Sequence, residues 1–122
     1  MSDPKYLNIP NICFSLTDAD DKRESKFSNH RIERGFDDSE TWSLRDSIAD
    51  FIVPRLEVFI NLTAGYPIEF NSLDEWKIVL NKILWSFKST KSMDTGEDEL
   101  YPWDKFEEGM NLFNKYYINL WW

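Results

Sequence analysis

Apolar residues recur at intervals of three and four in three separate blocks, and this spacing constrains the fold more than any other feature of the chain. The first block runs from Trp42 through Leu44, Ile48, Phe51, Ile52, Leu56, Phe59 and Leu62, which predicts one long amphipathic helix over about 41–62. Ser39 or Thr41 can cap it, and Asp37, Asp38 and Glu40 sit where the positive end of the helix dipole favours anions. Pro54 lies inside the pattern, so a kink is expected near residues 50–53. Gly65-Tyr66-Pro67 then stops the helix and turns the chain.

The second block has the sharpest start. Ser72-Leu73-Asp74-Glu75 matches a capping box, in which Ser72 and Glu75 satisfy each other's backbone N–H groups. Leu73, Trp76, Leu80, Ile83, Leu84 and Phe87 follow as one stripe, which gives a helix over about 72–88. A polar loop around Gly96 leads to Tyr101-Pro102-Trp103-Asp104. The third helix is expected from about 103 to the end, with Trp103, Phe106, Met110, Phe113, Tyr117, Leu120 and Trp121 on one face. Three amphipathic helices joined by turns make a small all-α domain. Before them the pattern is irregular: Pro4 and Pro10 interrupt it, and Asp18 to Arg34 reads as a charged surface loop or arm. The expected organisation is an irregular, partly basic arm over 1–34 and a helical domain over 35–122.

The 122 residues suffice for one domain with a hydrophobic core. A formal charge of −8 argues against general nucleic-acid binding through phosphate attraction. Aromatic residues make up 16% of the chain, which separates it from disordered acidic tails. One cysteine and no long apolar run give no support for disulfides, a membrane span or a secretory signal, so a cytoplasmic setting is expected.

Gly35-Phe36-Asp37-Asp38-Ser39-Glu40-Thr41-Trp42-Ser43-Leu44, followed by Ile48-Ala49 and Phe51-Ile52-Val53-Pro54-Arg55-Leu56, resembles a widespread family of small bacteriophage proteins. The same order of weak motifs continues through Gly65-Tyr66-Pro67, Glu75-Trp76, Glu108-Gly109, Leu112-Phe113, Lys115-Tyr116-Tyr117 and Leu120-Trp121. The similarity covers residues 34–122. It implies a phage or prophage origin and a helical fold, and it implies no reaction.

No catalytic or metal-binding motif stands out, and no cofactor is expected. His30 and Cys13 are each alone in type. Asp18-x-Asp20 opens like a calcium loop, but Arg23 occupies the sixth position and Asn29 the twelfth. No turn of the Gly-x-Ser-x-Gly kind presents a serine, and the glycines are too scattered for a phosphate cradle.

Three features remain as binding candidates. Lys22, Arg23, Lys26, Arg31 and Arg34 run against the acidic balance, and with Phe36 and Trp42 they could clamp phosphates beside a stacked base. The alternative is a solvated arm that neutralises the acidic loop or a neighbouring subunit. Arg55 either projects into a cleft lined by Trp42 or Trp76, or lies over the core and pairs with Glu75. Helical spacing puts Trp42, Trp76, Trp103 and Trp121 in the core, whereas Trp85 and Trp122 fall off the main faces and suit an interface.

These features suggest a non-catalytic binding protein, in which Arg31, Arg34, Phe36, Trp42 and Arg55 hold a small anionic nucleotide signal as a counter-defence. The alternatives are a structural or regulatory phage component, or an acidic inhibitor that mimics nucleic acid and engages a host protein through Asp94, Glu97, Asp98 and Glu99. A homo-oligomer built on Trp85 and Trp122 is compatible with either mode of binding.

Overall fold

The computed structural model describes residues 11–94 and 101–121, and all regular structure among them is helical. Four α-helices follow in order: α1 (Glu24–Arg34), α2 (Leu44–Leu62), α3 (Leu73–Lys88) and α4 (Trp103–Tyr116). Short 3-10 helices span Asp38–Thr41, Ser89–Asp94 and Tyr117–Asn119. The protein is all-α, as the apolar spacing requires. It divides into two compact units, Met1–Phe51 and Ile52–Trp122, with the division falling inside α2.

In the first unit the expected charged loop contains a helix. α1 has few apolar residues, which is why its period is hard to read, yet Phe27 and Arg31 are buried one turn apart. Gly35 ends it in the left-handed conformation at φ 88°, donating its N–H to the Arg31 carbonyl. A side chain at this position would be strained, and glycine is not. The Phe27 ring meets Trp42 edge to face, with centroids 6.1 Å apart. Asp37 caps the 3-10 helix Asp38–Thr41 that precedes α2: its carboxylate accepts the Ser39 N–H at 2.8 Å, and Glu40 accepts the Asp37 N–H at 2.7 Å. The Ser39 hydroxyl is bonded to Asp37 and accepts the Leu16 N–H.

In the second unit α3 carries the core almost along its whole length. Trp76, Leu80, Ile83, Leu84 and Phe87 are buried, joined by Leu56, Ile60 and Tyr116. Complete burial of side chains this size contributes about 1.5–3 kcal/mol each. Ser72 caps α3 by accepting the Glu75 N–H at 3.2 Å. The Glu75 carboxylate reaches Asn71 N at 2.8 Å, one residue before the cap, so the box closes one position early. Pro54 removes one donor from α2 without ending the helix, which continues to Leu62.

Gly109 sets the approach of α4 to α3. A Cβ there would lie 1.8 Å from Ser86 Oγ and 2.5 Å from the Lys82 carbonyl oxygen. The space a methyl would take lets Ser86 Oγ donate to the Phe106 carbonyl at 2.9 Å. Of the four tryptophans expected in the core, only Trp76 is there, at 1% exposure. Trp42, Trp103 and Trp121 are half or more exposed, a correction that helical spacing alone did not foresee. Trp103 opens α4 and packs on the buried Tyr101 and on Phe106, at 4.7 and 6.1 Å.

Candidate binding groove

The basic stretch in the first unit is neutralised where it stands. Arg31, expected to hold an anionic ligand, is instead buried: its guanidinium is hydrogen-bonded to Asp37 and to Glu24. Its side chain is 1% exposed and that of Asp37 is 0% exposed, so no ligand reaches this pair from solvent. Burial opposes both charges, but hydrogen bonds outweigh it. Those that Arg31 donates to Asp37 and Glu24 raise its pKa, and those that Asp37 accepts from Ser39, Ser15 and Arg31 lower its own.

Arg34 is held at the surface. It donates to Asp38 at 2.6 Å and to the Phe36 carbonyl at 2.9 Å, with its guanidinium 4.4 Å from the Phe36 ring centre. Asp38 also has Lys26 at 3.9 Å and His30 Nδ1 at 3.5 Å. The hydrogen bond from Arg34 is the main cause of the lowered Asp38 pKa, which burial opposes and the charges of His30, Arg34 and Lys26 assist. Arg23 chelates Asp21, whose pKa falls to about 2 mainly through that side-chain hydrogen bond. The Arg23 guanidinium also stands 4.9 Å from the centre of the Trp42 ring. Arg23, Lys26, Arg31 and Arg34 therefore pair with carboxylates that lie within the stretch or just around it in sequence.

Beside this network lies an apolar groove of about 400 Å³, lined by Phe14, Phe36, Glu40, Thr41, Leu44, Ser47, Ile48 and Phe51. Leu44, Ile48 and Phe51 fall at i, i+4 and i+7 on α2, so they form one continuous stripe. They are 56%, 48% and 50% exposed, and Phe36 is 43% exposed. Three lining residues are polar, but their polar atoms face the protein backbone. Glu40 Oε1 accepts Phe14 N at 2.9 Å and its Oε2 accepts Asp37 N; Thr41 Oγ1 donates to the Asp38 carbonyl at 2.7 Å; Ser47 Oγ donates to the Glu40 carbonyl at 2.6 Å. Among the described residues, the groove therefore offers a visitor carbon surface, with no cation for a phosphate. The sequence gives Leu44, Ile48 and Phe51 as part of the apolar face of one amphipathic helix, and that shared face is the only signal of the groove.

The other candidates are dispersed. Arg55 belongs to the second unit and is exposed on α2. Trp85 is half-buried, stacked on Tyr101 with centroids 6.3 Å apart and with Lys105 Nζ 4.1 Å from its ring centre, so much of its face is already covered. Asp94 ends a 3-10 helix, while Glu97, Asp98, Glu99 and Trp122 lie outside the described residues. Among the described residues no group of three or more His, Cys, Asp or Glu side chains is placed to hold a metal ion. No described helix is long and apolar enough to cross a membrane. In comparisons with known proteins no family model matches the chain, and neither a curated protein nor a solved structure matches it.

Proposed function

We propose that the chain is a non-catalytic protein-binding module whose α2 groove receives apolar side chains of a partner protein. The observation that carries this reading is the chemistry of the groove: four large hydrophobic side chains about half exposed, with every described polar lining residue turned to the backbone. Covering the exposed half of each such side chain contributes about 1 kcal/mol, and exposed apolar surface of this kind marks interaction sites. Capture of a small anionic nucleotide has less support, because Arg31 is buried against carboxylates and Arg34 already serves Asp38. The resemblance of residues 34–122 to small phage proteins favours a host protein in the host cytoplasm as the partner, acting in counter-defence. A second copy of the chain is the other protein the groove would accept.

A photo-crosslinking amino acid in place of Ile48, irradiated in host cells, tests the reading. Expected is a discrete protein adduct whose mass identifies host partner or second copy, and whose yield falls at least about tenfold when Phe51→Glu is added. No adduct, or one indifferent to Phe51→Glu, contradicts it.

A further inference from the structure

The second unit holds a different kind of cavity, of about 250 Å³, lined by Gly65, Tyr66, Pro67, Trp76, Asn119 and Trp121. Three aromatic residues line it from three separate segments: the loop after α2, α3 itself, and the chain after α4. Trp76 is its buried floor, 1% exposed, held edge to face by Tyr116 at 5.3 Å and in a tilted contact by Phe70 at 5.6 Å, so the rings open to a ligand are those of Tyr66 and Trp121. Tyr66 and Trp121 are exposed, and among the described residues neither ring packs on another ring. The Asn119 carboxamide likewise has no hydrogen-bond partner among the described residues.

We infer that this cavity is a site for a guanidinium group, as carried by arginine. Aromatic faces are electron-rich and attract a cation within about 6 Å of the ring centre, and a guanidinium is planar and weakly hydrated, so it stacks on such faces at low desolvation cost. Asn119 Oδ1 supplies an acceptor for one of its N–H donors. Every described lining residue is uncharged, so an anion finds no counter-ion among them, while the chain as a whole, at −8, draws cations. The volume is below the usual range for a drug-sized ligand and matches a single side-chain head group. The site belongs wholly to the second unit and stands whether or not the α2 groove binds a protein.

The probe is N-acetyl-arginine amide, followed through the indole N–H resonances of Trp76 and Trp121 in nuclear magnetic resonance spectra of the full chain. Expected are saturable shifts of both resonances, at least about tenfold weaker affinity for the uncharged citrulline counterpart, and a loss of about tenfold in Trp121→Ala, read on Trp76. Trp103→Ala, at an exposed tryptophan outside the cavity, leaves the affinity unchanged. The inference is overturned by the absence of saturable shifts, by equal affinity for citrulline, or by an effect of Trp121→Ala no larger than that of Trp103→Ala. Asn119→Leu, which keeps the rings, gives a second variant and is expected to weaken binding severalfold. A Gly-Arg-Gly peptide separates the sources of the ligand: tighter binding than the free amide points to an arginine presented by a protein, and equal binding to a free small molecule.

Discussion

Arg31 and Asp37, six residues apart, form an ion pair from which water is almost wholly excluded, with side-chain exposures of 1% and 0%. Asp37 is also the cap of the turn that follows, and through Ser39 its network reaches Ser15 and the Leu16 N–H. Glu40, in the same turn, ties down Phe14. Phe14 and Phe36 are walls of the α2 groove, so the buried polar network is what holds the apolar surface in place.

Breaking this pair on one side leaves a buried charge without its counter-ion, which typically costs about 3–5 kcal/mol. Asp37→Asn and Arg31→Met are each expected to lower stability by about 3 kcal/mol. Urea unfolding followed by circular dichroism reads this directly, and a loss under about 1 kcal/mol for both variants would contradict the burial described.

The same pair sets an acid limit. The folded-state pKa of Asp37 lies below its ordinary value of 3.8, so its ionised form contributes full stability above that value and loses the contribution as pH falls from 3.8 through the lowered one. In Asp37→Asn the stability lost over this interval is expected to be smaller than in the wild type. Parallel acid-unfolding curves check it, and identical slopes below pH 3.8 would refute the assignment.

Gly109→Ala is expected to destabilise the second unit by about 1–3 kcal/mol, since the new methyl collides with Ser86 Oγ and with a carbonyl oxygen that has little room to move. Alanine is better than glycine within a helix by about 1 kcal/mol, which offsets part of the cost. A thermal melt that rises on substitution would show that α3 and α4 separate more easily than the packing indicates.

Ile48→Glu changes a half-exposed side chain, so the fold is expected to survive with a stability change within about 0.5 kcal/mol. Binding of the crosslinked partner is expected to fall at least about tenfold, measured by titration calorimetry once that partner is known. Retained affinity in this variant would move the interface elsewhere.

How far the sequence could be read depended on what buries each residue. Leu80, Ile83 and Phe87 are apolar, periodic and preceded by Ser72, so α3 was legible from cap to last turn. α1 was not, because Arg31 is buried by hydrogen bonds to Glu24 and Asp37, and no hydropathy pattern marks a charge that enters the interior with its partners. Trp42, Trp103 and Trp121 misled for the opposite reason, as their spacing is that of a core face but their rings lie at the surface. The α2 groove was not legible in the sequence, because only the orientations of Glu40, Thr41 and Ser47 leave the stripe flanked by carbon and not by free polar groups.

Native mass spectrometry of the protein purified from host cells, beside Ile48→Glu prepared in the same way, is the most direct test of protein binding at the α2 groove. Expected is a wild-type complex with a second protein, of host origin or a copy of the chain, that is absent from the variant, and no small molecule released on unfolding. A wild-type monomer that releases a nucleotide mass on mild denaturation, unchanged in Ile48→Glu, would contradict it.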